Sequence, residues 1–322
     1  MSTLNWNRKN RLKSRPFQQA ELRLNGIAYL FPAYLIWGLS PVYWKWIAHV
    51  NSFELLMHRT VWSLLFLCGI LFMQRRTREL VLILKRPATL ALLSGSTLIL
   101  ALNWYLYIWA VNHDEVLQAS LAYYINPLLM VFFGMIFFKE RLSRLQVIAL
   151  VLAGAGVGYY TFSMGAFPWI SVVIAVTFGL YGLMHKMMAV LPLPGLCIET
   201  LLMSVPALGY LVYLHANGGG ALFNIDPSTD LLLIGTCLVT GLPLLFFTIG
   251  TKRSTLTTVG FMQYIAPSCT FLLAVMVYKE PFSIEQLTAF ALIWIALACY
   301  SADSVVRHRR RRRYRPAMKA AS

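Results

Sequence analysis

Charge is scarce in this chain. Asp, Glu, Lys and Arg make up 12% of its 322 residues, where a soluble domain carries about 25%. So little charge cannot cover a large water-facing surface, and a big soluble helical protein is set aside. Acidic side chains are scarcer still, 12 against 28 basic ones. The five cysteines (Cys68, Cys197, Cys237, Cys269, Cys299) stand singly in apolar runs. An odd number without metal-ligand spacing points to neither a disulfide framework nor a zinc site. His-Glu-x-x-His, Gly-x-Ser-x-Gly and the phosphate-binding Gly-Lys-Ser/Thr loop are all missing, so hydrolytic and ATP-driven chemistry have no motif to rest on. No metal, no cofactor and no enzymatic activity is expected. The first 25 residues are basic and polar without an apolar core. A cleavable signal peptide is therefore not expected, and the first apolar span serves as its own insertion signal.

Apolar sequence is abundant. Hydrophobic residues form 58% of the chain and mean hydropathy is +0.64. The runs approach the ~20 residues that a helix needs to cross about 30 Å of hydrocarbon. Ten spans are read, at roughly 26–47, 53–73, 88–110, 116–138, 145–162, 166–185, 196–214, 230–250, 256–278 and 285–303. Lipid cannot satisfy open backbone groups, and the runs are too long and uniform for barrel strands, so the spans are helices. Of the 28 Lys and Arg, 25 fall in alternate connections and at the two termini; Lys45, Arg59 and Lys279 are the others. The positive-inside rule places those segments, and both termini, in the cytoplasm. The net charge of +16 is thus a topology signal. Residues 1–25 read as a disordered basic arm, and residues 304–322, with Arg307 to Arg315, as a basic tail. Both are expected to contact anionic lipid, with no nucleic acid as partner.

One stretch occurs twice. Leu121-Ala-Tyr-Tyr-Ile-Asn-Pro-Leu128 runs on to Lys139-Glu140, and Phe261-Met-Gln-Tyr-Ile-Ala-Pro-Ser268 runs on to Lys279-Glu280. The offset of 140 also relates Gln146 to Gln286, while Trp37-Gly38 aligns with Phe178-Gly179 at 141 and Glu54 with Glu199 at 145. The offset maps span four onto span nine and span five onto span ten, so each unit has five spans. An odd number turns the second unit upside down. The expectation is an all-α polytopic membrane protein of ten transmembrane helices in two inverted repeats, residues 26–162 and 166–303. That is the architecture of alternating-access carriers, with a site near the midplane.

Spans four and nine carry matched stripes. Ser120, Tyr124 and Pro127 fall at i, i+4 and i+7, with Gly134 a heptad on; Gly260, Tyr264, Pro267 and Ala274 are their counterparts. Each proline frees a carbonyl one turn back, of Tyr123 or Gln263. A freed carbonyl can turn to a polar substrate and the kink can hinge; a kinked helix that merely packs tightly is the plainer reading. Span two opens Glu54-Leu-Leu-Met-His58-Arg59-Thr-Val-Trp62-Ser63, with Glu54 and His58 on one face. Arg59 lies a turn or more into the apolar run, where a charge costs several kcal/mol and needs a cavity or a partner. It binds an anionic group in a substrate path, pairs with Glu54 or another acid, or snorkels to the outer headgroups. In span three Asn103 and Tyr107 share a face, and Trp104 and its neighbours offer an apolar or cation-binding wall; Trp109 also reads as an interfacial anchor. Gln118, Asn126, His185, Glu199 and Gln263 complete the polar set, with His185 and Lys186 read as a solvated boundary. The expected substrate path is Glu54, His58, Arg59, Asn103, Trp104, Tyr107, Ser120, Tyr124, Asn126, Pro127, Glu199, Gln263, Tyr264 and Pro267.

These runs resemble the RarD proteins, ten-span members of the EamA branch of the drug/metabolite transporter superfamily. Tyr34-Leu-Ile-Trp-Gly38, Glu54-x-x-x-His58-Arg59-x-x-Trp-Ser63, Asn103-Trp104 to Asn112, Ala119 to Leu128, Tyr181-Gly-Leu183, Glu199-Thr200, Gly260 to Pro267 and Phe271 to Val275 carry the likeness, over roughly residues 26–303. It implies a bacterial inner-membrane permease of two inverted five-helix repeats. It also implies a small-molecule substrate: RarD proteins carry a chloramphenicol-sensitivity label, and relatives export amino acids and other metabolites. Small four-helix relatives couple protons through a Glu in their first span; Gly26 to Trp46 holds no acid. Where the family has Gly-Glu after spans four and nine, this chain has Lys139-Glu140 and Lys279-Glu280. The expectation is a secondary transporter, exporting a small amphipathic metabolite such as an amino acid or a chloramphenicol-like drug. The alternative is a lipid scramblase or a membrane-embedded enzyme using the same cavity.

Overall fold

The computed structural model describes residues 16–113, 115–163, 165, 167–279 and 283–320. Within them the chain is helical throughout: α1 (Pro16–Trp46), α2 (Ser52–Met73), α3 (Thr77–Leu84), α4 (Pro87–Asn112), α5 (Val116–Phe138), α6 (Arg144–Ser163) and α7 (Trp169–Met187) come first. There follow α8 (Pro192–Ala216), α9 (Pro227–Val239), α10 (Gly241–Arg253), α11 (Leu256–Gln263), α12 (Ile265–Leu272), a π-helical turn (Leu273–Val277) and α13 (Ile284–Ala320). Among the described residues nine stretches are long and apolar enough to cross a membrane, counting α9 with α10 and α11 to Val277 as one each.

Nine of the ten expected spans are among these stretches; the first, 26–47, falls in α1, which carries Pro32, Pro41 and polar first turns. Three other expectations change. Helix begins at Pro16, inside the stretch read as a disordered arm, because a proline in the first turn is followed by good helix formers. At the other end α13 runs through the basic tail to Ala320. An unforeseen short helix, α3, opens at an Arg76–Glu79 ion pair with Nη2 to Oε2 at 2.7 Å. Residues 1–15 and Glu280 lie outside the described residues, as do the side chains of Asn112 and Gln118 and those of the basic tail from Arg307.

The breaks have local causes. Pro267 removes an N–H that would have bonded Gln263, and the helix breaks there at Tyr264. Pro127, its counterpart, sits inside an unbroken α5. Pro243 acts likewise on Val239, and Thr240 leaves helical geometry at ψ −67 with φ −120.

Helix starts repeat as closely as the sequence does. Ser143 N–H donates to Gln146 Oε1 at 3.1 Å and Gln146 N–H to Ser143 Oγ at 3.2 Å. Ser283 and Gln286 make the same pair at the same distances. Both are capping boxes, each satisfying two backbone donors. Lys139 and Lys279 both sit in the left-handed region, at φ 52 and 55, a conformation that suits glycine.

Packing follows the same exchange. α1 lies on α10, α11 and α12, while α7 lies on α4 and α5; α2 lies on α8 and α9, and α6 along α13. Residues related by the sequence offset touch each other. Trp37 and Phe178 meet edge to face with ring centroids 6.2 Å apart. The Tyr264 hydroxyl donates to the Tyr124 carbonyl at 3.1 Å. Such contacts between equivalents are the pattern that inverted repeats produce. Gly38 lets α1 approach α12 and Gly179 lets α7 approach α5: a Cβ on Gly38 would lie 2.8 Å from the Ala266 carbonyl oxygen, and one on Gly179 would lie 2.9 Å from the Phe133 ring. The aromatic core of Tyr34, Trp37, Phe178, Tyr181 and Phe247 fills the space between.

Candidate substrate site

Arg59 sits on α2, with its guanidinium over the Trp104 ring of α4, 4.4 Å from the centroid. Its Nε is buried without a hydrogen bond. Among the described residues no carboxylate pairs with it. Tyr107 of α4 and Tyr123 of α5 stand beside the charge and against each other, rings 6.1 Å apart in a T-shape. Both rings keep 38% and 46% of their surface open. Arg59, Trp104 and the open faces of these two rings border one common space, the hollow. Trp62, one turn on from Arg59, also leaves its indole Nε1 buried and unbonded. Buried polar atoms are nearly always paired, so two orphaned donors on one turn stand out.

Glu54 does not answer Arg59. Its Oε1 accepts the Ala221 N–H at 2.5 Å and lies 3.6 Å from His58 Nε2. The pair therefore ties α2 to the connection before α9.

A second Glu–His pair stands in the other half. Glu199 on α8 is 1% exposed. His185 Nε2 lies 3.0 Å from each of its oxygens, Tyr181 donates at 3.2 Å, and the Ser96 hydroxyl donates as well. Beside it two lysines cross: Lys186 Nζ donates to the Thr251 and Ser254 carbonyls, and Lys252 Nζ to those of Met188 and Val190. Each lysine satisfies carbonyls at the other's helix end, as cations do at helix C-termini. His185 is thus buried and bonded, contrary to its reading as a solvated boundary. Close by, Glu140 caps α11, accepting the Leu256 and Thr257 N–H groups at 2.8 and 2.9 Å.

The other expected residues divide. Asn103 gives its amide to Ile174 O at 2.7 Å and Thr177 Oγ1 at 2.9 Å, and Asn126 to Ala175 O at 2.6 Å. Both fasten their helices to α7, although Asn126 Oδ1 stays unbonded. Tyr124 packs on Phe290 and Tyr160. Pro127 and Tyr264 are buried at the α5–α11 crossing, where a Cβ on Gly260 would meet the Pro127 carbonyl oxygen at 2.5 Å. Gln263 Oε1 is buried without a partner. Pro267 is partly open, and Ser120 has a partner of its own. The hollow thus gathers Arg59, Trp104 and Tyr107, with Tyr123, which sequence reading passed over for its neighbour. One residue along a helix is about 100° of turn, enough to exchange hollow for core.

The EamA-like transporter family profile matches residues 24–162. The uncharacterized transporter YojE of Bacillus subtilis is 41% identical over 293 residues, 89% of this chain and 97% of that protein. Protein RarD of Escherichia coli is 38% identical, covering 88% and 96%. The chain belongs to the RarD group of EamA-like transporters. A chloramphenicol-sensitive protein RarD of Pseudomonas aeruginosa is 30% identical over 87% of this chain and 94% of its own length. A solved crystal structure at 21% identity superposes with a TM-score of 0.66 over 86% of this chain and 97% of that one, which shows a common fold. As a RarD-group permease, the protein is a multi-pass bacterial inner-membrane transporter of small molecules, in contact with lipid. Among the described residues no three His, Cys, Asp or Glu cluster as metal ligands.

Proposed function

We propose that the chain is an alternating-access carrier of ten membrane helices in two inverted repeats, residues 26–162 and 166–303. Both termini lie in the cytoplasm, and the basic arms at either end hold anionic lipid. It exports a small amphipathic metabolite, such as an amino acid or a chloramphenicol-like drug, along a path past Arg59. One observation carries the reading: residues 140 or 141 positions apart touch each other, Trp37 on Phe178 and Tyr264 on Tyr124. A pseudo-two-fold axis in the membrane plane produces such contacts, and carriers of inverted repeats alternate by rocking about a site on that axis. The chloramphenicol named for one relative supports the drug class.

Flux in proteoliposomes tests it. Purified protein is screened with amino acids and chloramphenicol, with and without an imposed proton gradient, beside Arg59→Ala. Saturable wild-type flux that falls at least tenfold in Arg59→Ala is expected. No flux of any solute through folded, oriented protein would refute the carrier, and lipid scrambling in its place would favour a scramblase.

A further inference from the structure

The hollow around Arg59 has a chemistry more specific than a path for amphipathic solutes. We propose that it seats an organic monocarboxylate with a flat or apolar body. The inference rests on the carrier reading above and narrows its solute class to a carboxylate, setting aside the chloramphenicol-like drug.

The charge comes first. Arg59 is held by Trp104 from one side at 4.4 Å and makes no hydrogen bond among the described residues. A guanidinium keeps its charge at any physiological pH and offers donors in a planar fork that matches a carboxylate two bonds at a time. The acid nearest in sequence, Glu54, is already bonded to the Ala221 N–H and set against His58. The hollow therefore holds an uncompensated positive charge in a poorly solvated place, and an arriving anion supplies what the protein withholds. A cation is repelled, and a neutral solute leaves the charge as it was.

The number of charges comes second. Among the described residues one guanidinium stands here, and the ionisable side chains beside it are phenols. A phosphate dianion would bring a second charge with no second cation, so a monoanion fits better. The shape comes third. Trp104, Tyr107 and Tyr123 present ring surface on α4 and α5. Rings take a flat or apolar body and the fork takes the carboxylate. An α-amino group finds no carboxylate beside it, so a zwitterionic amino acid is held by one end only.

Matched pairs of probes decide. Thermal stability of the detergent-purified chain is read with phenylacetate against phenylacetamide, with phenylalanine against phenethylamine, and with chloramphenicol. Phenylacetate is expected to raise Tm, phenylalanine to do so at higher concentration, and the amide, the amine and chloramphenicol to leave it unchanged. Arg59→Gln should need at least tenfold more phenylacetate for the same shift, with Arg59→Lys between, since it keeps the charge and loses the fork. The wild-type pairs carry the test alone if a variant fails to fold.

Equal stabilisation by the amide or the amine overturns the proposal. So does carboxylate binding that survives Arg59→Gln, and so does a failure of phenylacetate, phenylpyruvate and indole-3-acetate alike. Flux in proteoliposomes separates the two readings. Transport of chloramphenicol or phenethylamine by both wild type and Arg59→Gln keeps the carrier and removes the anion assignment. Carboxylate binding with no flux of any probe keeps the site and removes the carrier.

Discussion

Replacing Glu199 by Gln keeps the side chain's shape and removes its charge. Three groups converge on the carboxylate: the Ser96 hydroxyl, the Tyr181 hydroxyl at 3.2 Å and His185 Nε2 at 3.0 Å. A hydrogen bond to a charged group contributes about 1.5–3 kcal/mol, against about 0.5–1.5 for a neutral one. Three bonds each weakened by about 1 kcal/mol give a loss of about 3 kcal/mol. Glutamine also turns one acceptor into a donor, which must face His185 together with either Ser96 or Tyr181. Relief from burying a charge works the other way, but removing one partner of a buried pair is a net loss as a rule. The expected destabilisation is about 2–4 kcal/mol, a fall in Tm of about 3–6 °C for a chain of this length. A thiol-reactive dye can read it, because Cys197 lies two residues away and is 2% exposed. His185→Gln and the double variant close a cycle whose coupling should reach about 1–3 kcal/mol, as for residues in direct contact. A wild-type Tm with unchanged Cys197 labelling, or a coupling below about 0.5 kcal/mol, would refute the reasoning.

Two further outcomes follow from local geometry. Lys139 and Lys279 hold left-handed backbone at φ 52 and 55, so Lys139→Gly and Lys279→Gly should each raise stability by about 0.5–1 kcal/mol; a fall in Tm for both would show that the lysine side chains matter more than the backbone. Asp226 caps α9, accepting the Thr229 N–H at 2.9 Å and the Thr229 hydroxyl at 2.7 Å, and these bonds with Ser228 hold its carboxyl below the usual carboxylate range. A depressed carboxylate contributes stability that is present above its unfolded pKa of about 3.9 and is lost as pH falls through the folded value. The stability difference between wild type and Asp226→Ala should therefore shrink as pH is lowered below about 4, and a difference that stays constant to pH 2 would exclude the cap as its source.

How much was legible depends on how local the cause is. The paired capping boxes could be read from Ser143-x-x-Gln146 and Ser283-x-x-Gln286 because both partners lie within one turn. Glu54 and His58 were placed on one face for the same reason. His185 and Glu199 lie on different helices, and nothing in the run around His185 marks it as buried. Asn103 looked like a substrate ligand because its face was right; only the fold shows that α7 occupies that face and takes its amide. Tyr123 was missed because the stripe through Tyr124 was chosen by its repeat partner Tyr264. That partnership is a packing contact between α5 and the Tyr264 break, while the ring next to it stands beside Arg59. A repeat in sequence reports what both halves share, and a substrate site is made of what they do not.

The two halves show that division. Shared features are backbone features: matched capping boxes, left-handed helix ends at Lys139 and Lys279, and glycine crossings at Gly38 and Gly179. The features that differ are particular side chains. At the offset of 145 that relates Glu54 to Glu199, Arg59 corresponds to Ser204, whose hydroxyl is also buried without a partner; at 140, Asn126 corresponds to Ala266. A carrier of inverted repeats changes sides by letting each half take up the other's arrangement, so its two states stay close in energy only if the halves share hinges and crossings. The solute is under no such demand. It is a single asymmetric molecule beside the axis, and one charge can meet it from one half alone. A second arginine at Ser204 would restore symmetry and double the uncompensated charge in a place where each charge costs several kcal/mol. In the carrier proposed above, duplication serves the motion and its breakdown at Arg59 serves recognition.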